Sequence, residues 1–173
     1  MEIVAGPDKI QEKNSTFERL VAEYQTQLLR LCYLQLQDED QARDAVQETF
    51  LKAYRNWDTF RGEAQEKTWL IKIAVNTCRD LRKSAWFRHV DRRVTPEELP
   101  LSVTPYTLKE ESLVQAVMKL PEKLREATVL YYYQGLNVND IANALGISHS
   151  SVSGRLKRAR EELRKSLEGM DFP

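Results

Sequence analysis

The residues with the clearest potential for chemistry are basic side chains near the C-terminal end of the chain. Six Lys and Arg residues stand between positions 155 and 165 against two glutamates, so this segment has a net charge of +4. Arginine can read guanine edges in the major groove of DNA, and short serine side chains let backbone amides approach phosphates. The segment therefore predicts a DNA-binding helix. The alternative is an ordinary helical hairpin whose charged face is solvated.

Two predicted helices joined by a tight turn would position these basic residues. Asn137 is the predicted N-cap of the first helix, Gly146 lies in the turn, and Ser148 is the predicted N-cap of the second. Val152 and Leu156 begin an apolar stripe at helical spacing, which predicts that this side of the second helix is buried. The pattern is typical of a helix-turn-helix. The residues left for the groove and its walls are Ser150, Ser151, Gly154, Arg155, Lys157 and Arg158.

A second basic segment lies in the middle of the chain. Residues 67–93 carry eight basic and two acidic side chains, whereas residues 1–66 carry eight basic and thirteen acidic ones. Such charge asymmetry indicates a nucleic-acid partner. Because the basic segment includes Trp69, it could follow a single strand while the indole stacks on a base. The alternative is that Trp69 fills core space.

Composition excludes several classes of protein. The chain has 173 residues, of which 42% are apolar, which is enough for one ordinary domain or two small ones. Cys32 and Cys78 lack metal-ligand spacing and predict no disulfide framework. The first residues do not form a signal peptide, and no uncharged apolar run is long enough for a membrane span. We expect an intracellular protein in a reducing compartment.

The apolar periodicity predicts an all-α protein with two small helical domains and a proline-containing linker. Ser15 and Glu18 form a capping-box pattern, which predicts that the first helix begins there. Residues 124–134 are predicted to form one helix that ends at Gly135. Three prolines between residues 91 and 108 block regular helix. The predicted organisation is an N-terminal tail over residues 1–13, a first domain over 14–90, a linker over 91–108 and a helix-turn-helix domain over 109–173.

Three segments together resemble a known family. They are DQARDAVQETFLKAYRNW at residues 40–57, FRGEAQEKTWLIKIAVNTCRDLRK at residues 60–83, and LPEKLREATVLYYYQGLNVNDIANALGISHSSVSGRLKRAREEL at residues 120–163. In this order and around a short linker, they resemble the bacterial RNA polymerase sigma factors of the extracytoplasmic-function (ECF) group, within the sigma-70 family. The resemblance covers residues 15–165.

The resemblance implies a role for each segment. The first would dock on the β′ clamp helices of core RNA polymerase through Asp44, Gln47, Glu48 and Phe50. The second would melt and read the promoter −10 element; with the basic segment, its candidate residues are Arg61, Gly62, Glu63, Trp69, Asn76, Arg79, Arg82 and Lys83. The third would read the −35 element, with bases read by Arg158 and the DNA backbone positioned by Arg155. Ser153 stands where the family often has Lys or Arg, so Ser153 and Gly154 are a departure that bears on promoter preference.

The resemblance also implies the partners. They are core polymerase, including its β flap, promoter DNA, and an anti-sigma factor that is often membrane-anchored. The expected location is the bacterial cytoplasm, and we expect no metal, cofactor, catalytic residue or small-molecule substrate. A dimeric helix-turn-helix repressor or activator is the alternative, but it would need neither the acidic helix nor the basic segment. An enzyme is disfavoured because His89 and His149 have no matched nucleophile or carboxylate pattern.

Overall fold

The computed structural model describes residues 6–87 and 108–168. Within these ranges the chain is all-α, as predicted, with no strand. A 3-10 turn at Trp57–Thr59 follows the second helix, and a π-helix at Val129–Tyr133 follows the fifth. The α-helices of the described residues are α1 (Pro7–Leu36), α2 (Glu39–Asn56), α3 (Glu66–Phe87), α4 (Leu108–Met118), α5 (Glu122–Thr128), α6 (Val138–Leu145) and α7 (His149–Leu167).

Helices α1, α2 and α3 pack around the core of the first domain. Leu20 and Leu31 of α1, Ala45 of α2 and Leu70 of α3 are fully buried, at the positions that the apolar spacing predicts. The break between α1 and α2 lies at Gln37, which adopts a left-handed conformation with φ of 56°. Asp38 then caps α2, where its side chain accepts a hydrogen bond from the backbone N–H of Gln41 at 2.8 Å.

The start of α1 corrects the sequence-based prediction. The helix begins at Pro7, so Ser15 is not an N-cap and residues 7–13 of the predicted tail belong to α1. The Ser15 hydroxyl donates instead to the carbonyl of Gln11 at 3.0 Å, inside the helix. Pro7 and the acidic Asp8 suit the first turn of this longer helix. Within it, Asn14 Oδ1 accepts a hydrogen bond from the Tyr54 hydroxyl of α2 at 2.9 Å.

Helices α4 to α7 form the second domain around buried Leu130, Ile141 and Val152. Gly135 and Gly146 have φ of 69° and 65°, which confirms both as left-handed helix stops. The helix predicted over residues 124–134 is present from Glu122 to Tyr133, but it changes from α to π after Thr128. This geometry is uncommon and often lies at functional surfaces.

The two domains pack against each other and share one continuous hydrophobic core. Lys67 Nζ of α3 donates to the carbonyl of Gln134 at 2.7 Å, and Gln37 Nε2 donates to the carbonyl of Met118 at 2.6 Å. The sequence had predicted two domains without predicting this interface. The linker predicted over residues 91–108 lies outside the described residues, except that Leu108 begins α4.

Candidate nucleic-acid interface

The helix-turn-helix predicted in the second domain is present in the structure. The Asn137 side chain accepts a hydrogen bond from the backbone N–H of Asp140 at 2.9 Å, which caps α6. The Ser148 hydroxyl accepts one from the backbone N–H of Ser151 at 3.1 Å, which caps α7. Ile141 of α6 and Val152 of α7 are both fully buried in the core. Helix α7 is therefore anchored by one side, and its other side is exposed.

The candidate −35 residues on α7 divide into an exposed and a buried set. Arg155 is the exception among the basic ones, because its side chain is 14% exposed and its Nη1 lies 3.7 Å from Glu126 Oε2. Gly154 is half-buried, and a Cβ placed on it would meet no atom within 4 Å. The exposed candidates are Ser150, Ser151, Ser153, Lys157 and Arg158. Helix α7 thus presents small polar residues near its N-terminus and two basic residues beyond them.

The loop after the 3-10 turn carries the first candidate −10 residues. Arg61, Gly62 and Glu63 are exposed, and Gly62 has φ of 71°, which favours glycine. The base of the loop is held by Phe60, whose ring centroid lies 4.8 Å from that of Trp69. The loop therefore combines an exposed tip with a packed aromatic base.

Trp69 belongs to this aromatic cluster and not to an open stacking surface. Its ring centroid lies 5.8 Å from that of Trp57, which in turn lies 5.4 Å from Phe17 in α1. Trp69 is only half-buried, but its ring contacts with Trp57 and Phe60 hold it in place. The structure thus favours packing for Trp69, one of the two alternatives that the sequence left open.

The candidate −10 residues on α3 have different environments. Asn76 and Lys83 are exposed, whereas Arg79 and Arg82 face the second domain. Both arginines are candidates for contact with −10 DNA, and in this arrangement of the domains they contact acids of α5. Helix α3 packs on the first domain with one side and on the second domain with another, so its arginines lie at the boundary.

The candidate polymerase-binding residues share one side of α2. Asp44, Gln47 and Glu48 have the spacing of neighbours on a helix surface, and Leu51 continues the row one turn later. Asp44 and Gln47 are exposed, while Glu48 lies 3.9 Å from Lys52 Nζ. Beside this row, Gln47, Leu51 and half-buried Phe50 line a groove of about 460 Å³ between α1 and α2. The sequence-based interpretation missed Leu51, although its position in the row was readable.

A second apolar groove lies on the second domain and was not predicted. It has a volume of about 530 Å³ and is lined by Leu113 and Val117 of α4, Tyr132 of the π-helix and Leu163 of α7. Tyr132 is 53% exposed, and Arg160 at the rim lies 3.5 Å from its hydroxyl. All three tyrosines of the π-helix, Tyr131, Tyr132 and Tyr133, are exposed.

The most important residue that the sequence-based interpretation missed is Glu126. It is only 3% exposed, and it contacts arginines of both domains. A buried acid of this kind needs charged partners. Here the partners are Arg79 and Arg82 of α3 and Arg155 of α7. An acid in the row E-K-L-R-E of α5 gives no local signal of this role.

The remaining chemical candidates are few. In the described part of the chain, no group of three or more His, Cys, Asp or Glu could hold a metal ion. Nor is any helix of the described residues long and apolar enough to span a bilayer. His149 is exposed and contacts Asn139 through its ring nitrogen, whereas His89 lies outside the described residues.

Comparison with known proteins agrees with this geometry. The family Sigma-70 region 2 matches residues 20–88, and the family Sigma-70, region 4 matches residues 110–163. The RNA polymerase sigma-H factor of Pseudomonas aeruginosa is 34% identical over 166 residues, which cover 88% of this chain and 86% of that protein. The ECF RNA polymerase sigma factor SigW of Bacillus subtilis is 33% identical over 168 residues, with 87% and 88% covered.

Two solved structures share the fold. One is the sigma factor RpoE in complex with the anti-sigma factor NepR from Bartonella quintana, with a TM-score of 0.75, 22% identity, and 90% of this chain and 99% of that chain covered. The other is CnrH in complex with the cytosolic domain of CnrY, with a TM-score of 0.69, 28% identity and 91% of each chain covered. Two family regions in the expected order, and relatives above 30% identity along most of their length, confirm the resemblance: the chain belongs to the sigma-70 family, in the ECF group of RNA polymerase sigma factors.

Proposed function

We propose that this chain is a dissociable subunit that brings core RNA polymerase to selected promoters. The observation that carries the proposal is an acidic, partly apolar face on α2 in the same molecule as a capped helix-turn-helix. A repressor or activator that binds DNA without polymerase has no use for the first of these surfaces. The proposed division of work follows the expected domains, residues 14–90 for polymerase and the −10 element and residues 109–173 for the −35 element.

The α2 face is the proposed docking site for the β′ clamp helices. Asp44 and Glu48 supply negative charge for a basic partner, and Phe50 and Gln47 line a groove that accepts apolar side chains. Interfaces of this kind combine an apolar centre with a charged rim. We assign the β flap to the second groove, at Tyr132 and Leu163, because it offers an apolar surface on the other domain.

Promoter recognition is assigned to two separate surfaces. The loop at Arg61–Gly62–Glu63 and the exposed Asn76 of α3 are proposed to hold the non-template strand of the −10 element, with Lys83 near the phosphates. The exposed residues of α7 are proposed to enter the major groove of the −35 element, where helix N-termini and arginines make their usual contacts. The uncommon Ser153 and Gly154 would set the preference for particular −35 sequences.

An anti-sigma factor is the third proposed partner. The sigma factor RpoE, which shares this fold, is solved in complex with the anti-sigma factor NepR, and CnrH is solved in complex with the cytosolic domain of CnrY. The proposed place of action is the bacterial cytoplasm, where core polymerase and promoters are found. Since sigma factors act by binding, we assign no catalytic residue or cofactor to the chain.

Charge reversal on α2 tests the polymerase contact. The Asp44→Lys/Glu48→Lys variant should fail to co-purify with core polymerase and should give no run-off transcripts from a library of genomic promoter fragments. Its stability should change little, because exposed substitutions usually shift it by no more than about 0.5 kcal/mol. Asp8→Lys/Glu12→Lys is the matched control, with the same helical spacing and charge change on exposed residues of α1. Core binding by the α2 variant at the control level would contradict the assignment.

A second pair of substitutions tests promoter opening. Arg61→Ala/Asn76→Ala should bind core polymerase normally and yet give less permanganate-reactive open complex. Arg79 stays unchanged in this variant because its contacts with Glu126 would add a structural effect. Normal opening in the double variant would place the single-strand site elsewhere.

A further inference from the structure

The first half of α1 contacts both ends of the loop that is proposed to hold the −10 strand. This loop, over residues 60–65, follows the 3-10 turn at Trp57–Thr59 and precedes α3, which begins at Glu66. Asp58 therefore lies just before the loop, and Glu66 lies just after it. Each of these acids pairs with a basic residue of α1, so one helix contacts both stems of the loop.

Arg19 of α1 holds the stem that leads into α3. Its Nη2 donates a hydrogen bond to Glu66 Oε1 at 2.7 Å, and its Nη1 donates one to Glu23 Oε2 at 3.1 Å. Since Glu23 lies one turn further along α1, it keeps the guanidinium in place for the contact with Glu66. The hydrogen bond with Glu66 is also the main cause that raises the pKa of Arg19. The first residue of α3 is thus attached to α1 by a charge-assisted hydrogen bond.

Lys13 of α1 holds the other stem. Its Nζ lies 3.4 Å from Asp58 Oδ2 and 4.5 Å from the centroid of the Tyr54 ring. A cation is attracted to the face of an aromatic ring, and the Lys13 side chain is only 19% exposed. The tyrosine and the burial therefore restrict where the ammonium group can lie, and they keep it beside Asp58.

Helix α1 sets the distance between the two stems. Lys13 and Arg19 are six residues apart on one α-helix, so their backbones are separated by about 9 Å along its axis. Between them, Phe17 is buried, and its ring centroid lies 5.0 Å from that of Tyr54 and 5.4 Å from that of Trp57. These ring contacts fix α1 against the aromatic base of the loop, so both attachment points are rigid.

From these contacts we propose that Lys13 and Arg19 are positioning residues for the −10 loop, which hold its stems so that the exposed tip at Arg61 and Gly62 keeps the shape that receives an unpaired base. The proposal rests on the proposed function of this loop. A loop that is already ordered loses less conformational entropy when it binds, so the two ion pairs favour capture of the strand. Both residues precede position 20, where the match to Sigma-70 region 2 begins, so the family likeness does not supply this role.

Removing the acids of the stems separates positioning from simple charge effects. If these acids only repelled DNA, Asp58→Ala and Glu66→Ala would increase promoter opening, because each removes a negative charge beside the proposed strand. If they hold the loop, each variant should give about threefold less permanganate-reactive open complex, which is the equilibrium effect of a surface ion pair. The assay uses holoenzyme made from core polymerase and the full chain, on promoter fragments that the wild type selects from a genomic library.

Glu12→Ala is the matched control for these variants. It makes the same change on an exposed residue of α1 whose side chain forms no ion pair within the described part of the chain, so opening should stay at the wild-type level. All variants should co-purify with core polymerase as the wild type does, because neither stem lies on the α2 face. Opening at or above the control level in both Asp58→Ala and Glu66→Ala would overturn the proposal.

Substitutions of Arg19 test whether it acts through Glu66. Arg19→Ala should lower opening as much as Glu66→Ala, and Arg19→Lys should restore most of it, because lysine can still pair with the acid. The double variant Arg19→Ala/Glu66→Ala should be no worse than either single variant, since both remove the same contact. A further loss of opening in the double variant would show that Arg19 contacts DNA directly, and it would overturn the positioning role of Arg19.

Tryptic cleavage after Arg61 in the full chain reports the order of the loop without DNA or polymerase. Cleavage should be about threefold faster in Asp58→Ala and Glu66→Ala than in the wild type or Glu12→Ala, because it follows the population of the opened loop. Unchanged cleavage in both variants would overturn the proposal, and so would faster cleavage with normal opening. Normal opening in Arg61→Ala/Asn76→Ala would instead contradict the proposed function of the loop, whereas the cleavage rates would still decide whether α1 holds it.

Discussion

Arg155 and Arg158 lie one helical turn apart on α7, and the structure predicts opposite consequences for their removal. The Arg155 side chain is mostly buried, with Nη1 at 3.7 Å from Glu126 Oε2. Arg158 is exposed, and its Nε donates to the carbonyl of Gly154 at 3.3 Å within the same helix. We therefore consider the variants Arg155→Ala and Arg158→Ala as a matched pair with the same change of charge and size.

The expected loss of stability follows from what each arginine leaves behind. Removing one partner of a buried ion pair costs about 3–5 kcal/mol when the other is left uncompensated. Glu126 would keep two hydrogen bonds from Arg79, and the Arg155 contact is longer than a hydrogen bond, so we expect about 1–2 kcal/mol for Arg155→Ala. For Arg158→Ala we expect no more than about 0.5 kcal/mol. At this chain length, 1 kcal/mol corresponds to about 2–4 °C in Tm.

The two variants should also differ in DNA binding, and here the change in base preference should occur in Arg158→Ala. If Arg158 reads a guanine, its loss should cost about 1–3 kcal/mol on preferred −35 DNA and relax selection at one position. Arg155→Ala should weaken binding on all sequences alike, because its role is to hold α7 in place. Thermal unfolding followed by circular dichroism, and selection from randomised −35 DNA, measure the two effects. Equal Tm values for the two variants, or unchanged base preference in Arg158→Ala, would refute the reasoning.

Three further predictions use single positions. Gly154→Ala should raise the free energy of unfolding by about 0.5–1 kcal/mol, because alanine suits a helix interior and its Cβ meets open space; urea denaturation that shows a loss would contradict this. A hydrogen bond with Cys78 and burial raise the pKa of the Cys32 thiol. The free energy of unfolding should therefore be constant below the pKa of the unfolded thiol, about 8.5, and should fall as the pH rises above it, by up to about 1.4 kcal/mol per pH unit. Cys32→Ala should show a flatter dependence in denaturation from pH 8 to 10, and identical slopes would exclude this cause. Trp69→Ala should unfold at a lower temperature than the wild type because it loses the contacts with Trp57 and Phe60, whereas Trp69→Phe should retain most of the stability. If calorimetry finds Trp69→Ala as stable as the wild type, Trp69 does not act by packing and base stacking is the better interpretation.

Local features of this protein could be predicted from the sequence alone. The caps at Asn137 and Ser148, the glycine turn at Gly146 and the buried positions of α7 were all predicted correctly. Each depends on residues within one or two turns of one another, so their chemistry is readable from spacing. The all-α class follows for the same reason, since apolar residues at helical spacing must be buried on one side.

The start of α1 was a local prediction that failed. The capping-box pattern at Ser15 is chemically sound, but the helix begins at Pro7, where a proline and the acidic Asp8 suit its first turn. Further along the helix, Asn14 contacts Tyr54 of α2. Residues 14 and 54 are distant in sequence, and no spacing rule relates them. The same holds for Trp69, whose choice between packing and stacking depends on Phe60 and Trp57.

The tertiary structure decided where the arginines go. A long arginine has an apolar stem and a charged end, so the pattern of α3 could not predict whether Arg79 faces solvent, DNA or protein. The answer depends on Glu126, an acid 47 residues away whose burial results from the packing of one domain on the other. Charge pairs across such an interface join surfaces that are unrelated in sequence, and for that reason the spacing of α3 did not predict that Arg79 contacts Glu126.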